Sequence, residues 1–119
     1  MAERRAGYIA AAVTNSGGTL SPLALQSTTH VPAVMTLHGG TSDVVGVSFT
    51  QTSANLDNQF NAAGGFVVDC DHGGGHCQAP PELQTAGWEF MKAHPFGVTP
   101  EPYGMQLPMS FPNYCTIIQ

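Results

Sequence analysis

Charge is what this 119-residue chain has least of: Asp, Glu, Lys and Arg make up only 9% of it, where an ordinary globular protein carries about a quarter. Arg4, Arg5 and Lys92 are the only cations, against eight acidic residues and a net charge of -5. Without a basic face to neutralise phosphates, the composition argues against a nucleic-acid partner, and an anionic membrane surface is disfavoured for the same reason. No stretch approaches the roughly eighteen consecutive apolar residues that cross a bilayer, so the sequence reads as soluble, with no membrane partner. Arg4-Arg5 followed by Ala6 to Val13 imitates the basic and apolar regions of a signal peptide. That eight-residue run contains Gly7 and Tyr8, however, and reads better as a buried strand. Cysteine is sparse and odd in number: Cys70, Cys77 and Cys115 leave one unpaired if the other two bridge. No internal repeat is visible.

What is present is a 42% hydrophobic composition, enough for a core, with polarity supplied by thirty Ser, Thr, Asn and Gln residues. The length suits one small domain. Gly and Pro supply 23 residues, which implies long loops around few regular elements. Tyr8 to Thr14 is apolar and stops at Asn15-Ser16-Gly17-Gly18; Pro32 to Leu37 is a second apolar run that stops at His38-Gly39-Gly40. Ser48 to Ala63 carries Phe49, Leu56, Phe60 and Ala63 at helical spacing, with Gly64-Gly65 as its stop. Phe66 to Val68 reads as a third strand. Pro80-Pro81 opens a second helix bearing Leu83, Trp88, Phe90 and Met91, with Trp88 and Met91 expected in the core beside Phe90. Five prolines from Pro95 onward argue against regular structure in the remainder. The expectation is an α/β fold of about three mainly parallel strands and two helices over residues 1–94, with a proline-rich tail, residues 95–119, packed on it. Three strands make a thin sheet whose edges need protection.

Two loops carry candidate chemistry, each after a predicted parallel strand, where open α/β sheets gather their functional groups. The first is His38-Gly39-Gly40-Thr41-Ser42-Asp43, and the second runs from Cys70 through Asp71, His72 and three glycines to His76 and Cys77. An acid on one loop and a histidine on the next suit an orienting carboxylate and a general base. On bland grounds Asp43 closes a turn, His76 is an exposed loop histidine, His38 bonds nearby backbone, and Asp69 and Asp71 only solvate their loop.

Gly7-Tyr8-Ile9-Ala10-Ala11-Ala12-Val13 through Ser16-Gly17-Gly18, Leu37-His38-Gly39-Gly40-x-x-Asp43, Cys70-Asp71-His72-x3-His76 and Trp88-Glu89-Phe90 together resemble the C-terminal half of an α/β-hydrolase. The similarity is to the secreted polyhydroxybutyrate-depolymerase and feruloyl-esterase-like group. The resemblance implies a serine-type carboxylic-ester hydrolase acting on a small ester or polyester, with Asp43 as triad acid, His76 as triad base and no cofactor. By it, Ser16-Gly17-Gly18 closes a strand and is not the nucleophile. The chain departs from the pattern at its centre, because the G-x-S-x-G turn that bears the serine of this fold occurs nowhere in it.

Two other classes of function compete with this one. A non-catalytic fragment would associate with itself, or with a complementary N-terminal half, through an open sheet edge. A metal module would use Cys70, His72, His76 and Cys77, whose ligand types suit zinc but whose crowding, with Cys77 adjoining His76, does not. A Cys70–Cys77 disulfide pinning the histidine loop is the expected use of that pair in an exported protein. Cys115 is then free or bridges to another chain.

Overall fold

The computed structural model describes residues 1–119. Its elements in chain order are β1 (Ala11–Asn15), β2 (Ala33–His38), α1 (Phe49–Ala62), β3 (Val67–Asp71), α2 (Pro81–Ala93) and β4 (Cys115–Ile118). They form an α/β fold with one open sheet of order β1-β2-β3-β4, in which the first three strands run parallel and β4 pairs antiparallel with β3.

Every residue of β2 is buried, as expected of a central strand covered on both faces. Alternation along the strands divides the core. Val34 and Val67 meet Leu56 and Phe60 of α1, while Met35, Val68 and Cys70 meet Leu83, Ala86 and Phe90 of α2. Helix α1 begins where the Ser48 hydroxyl accepts the Gln51 amide, satisfying one of the free donors of the first turn. Beyond α2, the buried His94 bonds the Phe90 carbonyl through Nδ1 at 2.7 Å and the Glu101 carboxylate through Nε2 at 2.8 Å. Phe66, Phe90 and Tyr103 surround its ring. This clamp holds the first part of the segment after α2 at the N-terminal end of the strands, and the chain then crosses to enter β4 beside the C-terminal end of β3.

Three expectations are corrected. The sheet has four strands, because the last proline is Pro112 and the β-branched run Thr116-Ile117-Ile118 beyond it is free to pair with β3. The disulfide joins Cys70 to Cys115, and Cys77 is free and exposed. Cys70 points into the α2 side of the core directly opposite Cys115 in the β3–β4 register, whereas Cys77 lies on the loop above the strand ends. A bridge across a sequence separation of 45 residues stabilises by roughly 3–4 kcal/mol in the loop-entropy description. Finally, Trp88 and Met91 are exposed, at 60% and 41%. The buried stripe of α2 runs through Leu83, Ala86, Gly87 and Phe90, and these two fall outside it.

The outer edge of β1 is open. The Ser16 amide donates to Leu37 and the Ala10 carbonyl accepts from Ala33, so the even-numbered residues turn their backbone groups toward β2. The N–H and C=O of Ala11, Val13 and Asn15 therefore point away from the sheet, where no strand pairs with them. No helix is long and apolar enough to cross a membrane.

Candidate active site

Parallel strands in register deliver their loops to one place. Leu37 lies beside both Asn15 and Cys70, so the segments following β1, β2 and β3 emerge together. The β2 and β3 loops touch at their backbones: the Gly75 amide donates to the Gly39 carbonyl at 3.1 Å. A Cβ on residue 39 would stand 2.1 Å from the Gly75 carbonyl oxygen, so only glycine permits this approach.

That contact brings Asp43 and His76 together. Asp43 is completely buried, and its Oδ1 is 2.9 Å from His76 Nδ1. Its Oδ2 accepts from the Ser16 hydroxyl at 2.8 Å and from the Gly39 amide at 2.9 Å. Burial pushes the Asp43 carboxyl up, but the bonds from Gly39, His76 and Ser16 outweigh it and hold the group below the ordinary aspartate range. An ionised carboxylate only accepts, so Nδ1 carries the proton and neutral His76 presents a bare Nε2. The Phe49 ring stacks on the imidazole, with centroids 4.8 Å apart and 23° between planes. The His76 side chain is 37% exposed, and Cys77 Sγ sits 3.4 Å from Nε2. Ser16 and Cys77 hold φ of 44° and 53°, a region that non-glycine residues seldom occupy outside sites that constrain them.

Behind this pair lies a second polar cluster, which the sequence reading missed. His38 is buried at the end of β2; Nδ1 accepts from the Gly40 amide at 3.2 Å, and Nε2 lies 3.2 Å from Asp69 Oδ1. The turn contact expected of His38 is thus present, but Asp69 does more than solvate a loop. The Asp69 hydrogen bond, opposed by burial and aided by the charges of Asp69, Asp71 and Asp57, raises the His38 pKa. The Thr36 hydroxyl stands within 3.0 Å of Asp57 Oδ1, Asp57 Oδ2 and Asp69 Oδ1. One hydroxyl has one proton to give, so the network closes when Thr36 donates to Asp69 and a neutral Asp57 donates to Thr36. Burial, first, and the Asp69 charge push Asp57 up to about 7 against the opposing pull of Thr36 and His38. Asp71 turns back to its own loop and accepts from the Gly73 amide at 3.0 Å.

The four residues of the metal alternative do not converge. Cys70 is locked in its disulfide, His72 Nδ1 accepts from the Gly74 amide, and no group of three His, Cys, Asp or Glu side chains is arranged to hold a metal ion. Ser42, the serine nearest Asp43 in the chain, gives its hydroxyl to the Gly39 carbonyl at 3.3 Å, and no bond joins it to His76. Ser16 and Phe49 were not legible as site residues. The strand-ending Ser16-Gly17-Gly18 beside the Asp43 loop was the available signal for the first, and the position of Phe49 six residues after Asp43 was the signal for the second. Comparison with protein-family models, with curated proteins and with solved structures finds no match to this chain.

The Asp57 network carries a pH dependence. Its folded pKa is raised from the ordinary 3.8 to about 7, so the folded state binds the extra proton between those values. The stability it contributes is full below the unfolded pKa and is lost as pH rises through about 7; His38, also raised, acts in the same direction. Urea denaturation is expected to show about 1–3 kcal/mol lost between about pH 5 and pH 8. Asp57→Asn, neutral at every pH, should remove much of that slope, and a parent profile flat across this range would contradict the network.

Proposed function

We propose that this chain carries the acid and base of a carboxylic-ester hydrolase that works by acyl transfer, on the C-terminal half of an α/β-hydrolase-like fold. The observation that carries the reading is the 2.9 Å bond between a wholly buried Asp43 and a part-exposed His76. Asp43 holds the imidazole in the Nδ1–H tautomer and stabilises the imidazolium that forms when Nε2 takes the proton of an attacking nucleophile. The same proton then passes to the departing alkoxide. The mostly parallel sheet, with both residues on loops at its C-terminal end, supports the α/β-hydrolase comparison. The Cys70–Cys115 bridge supports an oxidising compartment and hence a secreted protein. The substrate is a small ester or polyester whose acyl part meets the Phe49 ring stacked on His76.

The purified chain is expected to hydrolyse short-chain aryl esters above background, slowly, because the oxyanion donors that accompany an elbow serine are absent with it. His76→Ala and Asp43→Asn should each lower that rate by roughly a hundredfold or to background. Equal rates for the parent and both variants would remove the hydrolase reading.

The open edge of β1 supports an assembly as the working state, with a second copy or a complementary N-terminal half adding a strand to Ala11, Val13 and Asn15. No charged residue or proline blunts this edge. Light scattering at micromolar concentration is expected to show a dimer or larger species. Ala11→Pro removes an outward donor without touching the β1–β2 ladder and should shift the chain toward monomer. A parent that is a compact monomer would overturn the edge assembly and leave the chemistry untouched.

A further inference from the structure

We propose that Cys77 is the nucleophile of this chain, so that the centre is a Cys77–His76–Asp43 triad accepting acyl groups on sulfur from activated esters and thioesters. The inference rests on His76 being the general base, and it goes further by naming the atom that attacks.

Nε2 of neutral His76 has one lone pair, and Cys77 Sγ is the atom that bonds to it, at 3.4 Å. With Nδ1–H given to Asp43, the only donor in that contact is the thiol, so the sulfur's proton points at the base. Nucleophile, base and orienting acid within hydrogen-bond reach in series are the arrangement that activates a weak nucleophile. The hydroxyls nearby are committed elsewhere, Ser16 to Asp43 and Ser42 to Gly39.

The backbone supports the same arrangement. The Ser16 oxygen accepts the Cys77 amide at 3.0 Å, while the Ser16 hydroxyl proton goes to Asp43. Two paths therefore lead from one carboxylate to Cys77: Oδ1 through the imidazole to the sulfur, and Oδ2 through Ser16 to the amide. They close a ring that holds residue 77 at its positive φ of 53°. The residue is exposed, and the Phe49 ring stacked on His76 offers apolar surface for an acyl chain. The other two cysteines are joined to each other, so Cys77 is the free thiol of the chain.

In the reaction, the sulfur bonds to the acyl carbon while its proton passes to His76 Nε2. The tetrahedral adduct expels the alcohol or thiol, which leaves with that proton, and Cys77 carries a thioester. Water, deprotonated by His76, then attacks the thioester; the carboxylic acid departs and the thiol regains its proton. No oxidant or metal is consumed.

The test uses the full chain, unreduced, with p-nitrophenyl acetate as probe. Peptide mass spectrometry after acid quench is expected to find an acetyl group on Cys77, and Cys77→Ala and Cys77→Ser should each lower turnover by roughly a hundredfold. The serine variant keeps the amide bond to Ser16, so its loss reports on the sulfur and not on folding. Iodoacetamide alkylation of Cys77 at neutral pH should slow in His76→Ala, a change that a merely structural thiol would not show. Full activity in Cys77→Ala alongside loss in His76→Ala would overturn the nucleophile and keep the hydrolase. Unchanged activity in both would overturn the two together. Isolation of the chain with Cys77 already bridged to another molecule would also overturn the proposal.

Discussion

A carboxylate with no access to water must have its charge met by hydrogen bonds, and Asp43 meets that requirement by drawing on three separate stretches of chain. Ser16 comes from the end of β1, Gly39 from the end of β2 and His76 from the loop after β3. None of these groups is near another in sequence; the parallel register brings them together. Satisfying Asp43 therefore fixes how the three loops converge, and the convergence orients His76. The site depends on one buried charge, and that charge is tolerable only because the sheet delivers its partners.

The Thr36, Asp57, Asp69 and His38 cluster solves a similar problem in a different way. Two carboxylates share one hydroxyl, and the pairing closes when Asp57 is protonated, the form favoured below about pH 7. This ties α1 to β2 and β3 through polar groups on the same face where Val34 and Val67 pack against Leu56 and Phe60. Its Gly40 contact places it against the loop that bears Asp43. The two networks differ in where the proton resides: Asp43 is ionised below the usual aspartate range, while Asp57 titrates near neutrality. The low dielectric of the interior pushes both upward, and the number of donors aimed at each decides the outcome.

Much of the architecture was legible because it follows local rules. The apolar runs ending at Asn15 and His38, the periodicity of Leu56 and Phe60, and the proline opening of α2 each correspond to an element within a few residues. Asp43 and His76 were legible as candidates from their loops after strands. What was not legible depends on pairing between distant segments. The fourth strand is short and hidden behind a proline-rich stretch, and it forms because β3 offers an edge. Cys115 opposes Cys70 only once that register exists. Helical spacing places Leu83 and Phe90 inward, but hydrophobicity alone did not separate them from Trp88 and Met91 on the outer side of the same helix. The Thr36 cluster was not legible as a unit, since His38 and Asp69 stood out only singly and its members lie as far as 33 residues apart.

The central claim is that buried Asp43 fixes the tautomer of His76, and nitrogen-15 NMR of the histidine-labelled chain at neutral pH reads this directly. Nδ1 is expected to appear as the protonated nitrogen and Nε2 as the bare one, with the preference relaxing in Asp43→Asn. A His76 ring protonated mainly at Nε2 in the parent, or a tautomer indifferent to the Asp43 substitution, would contradict the account.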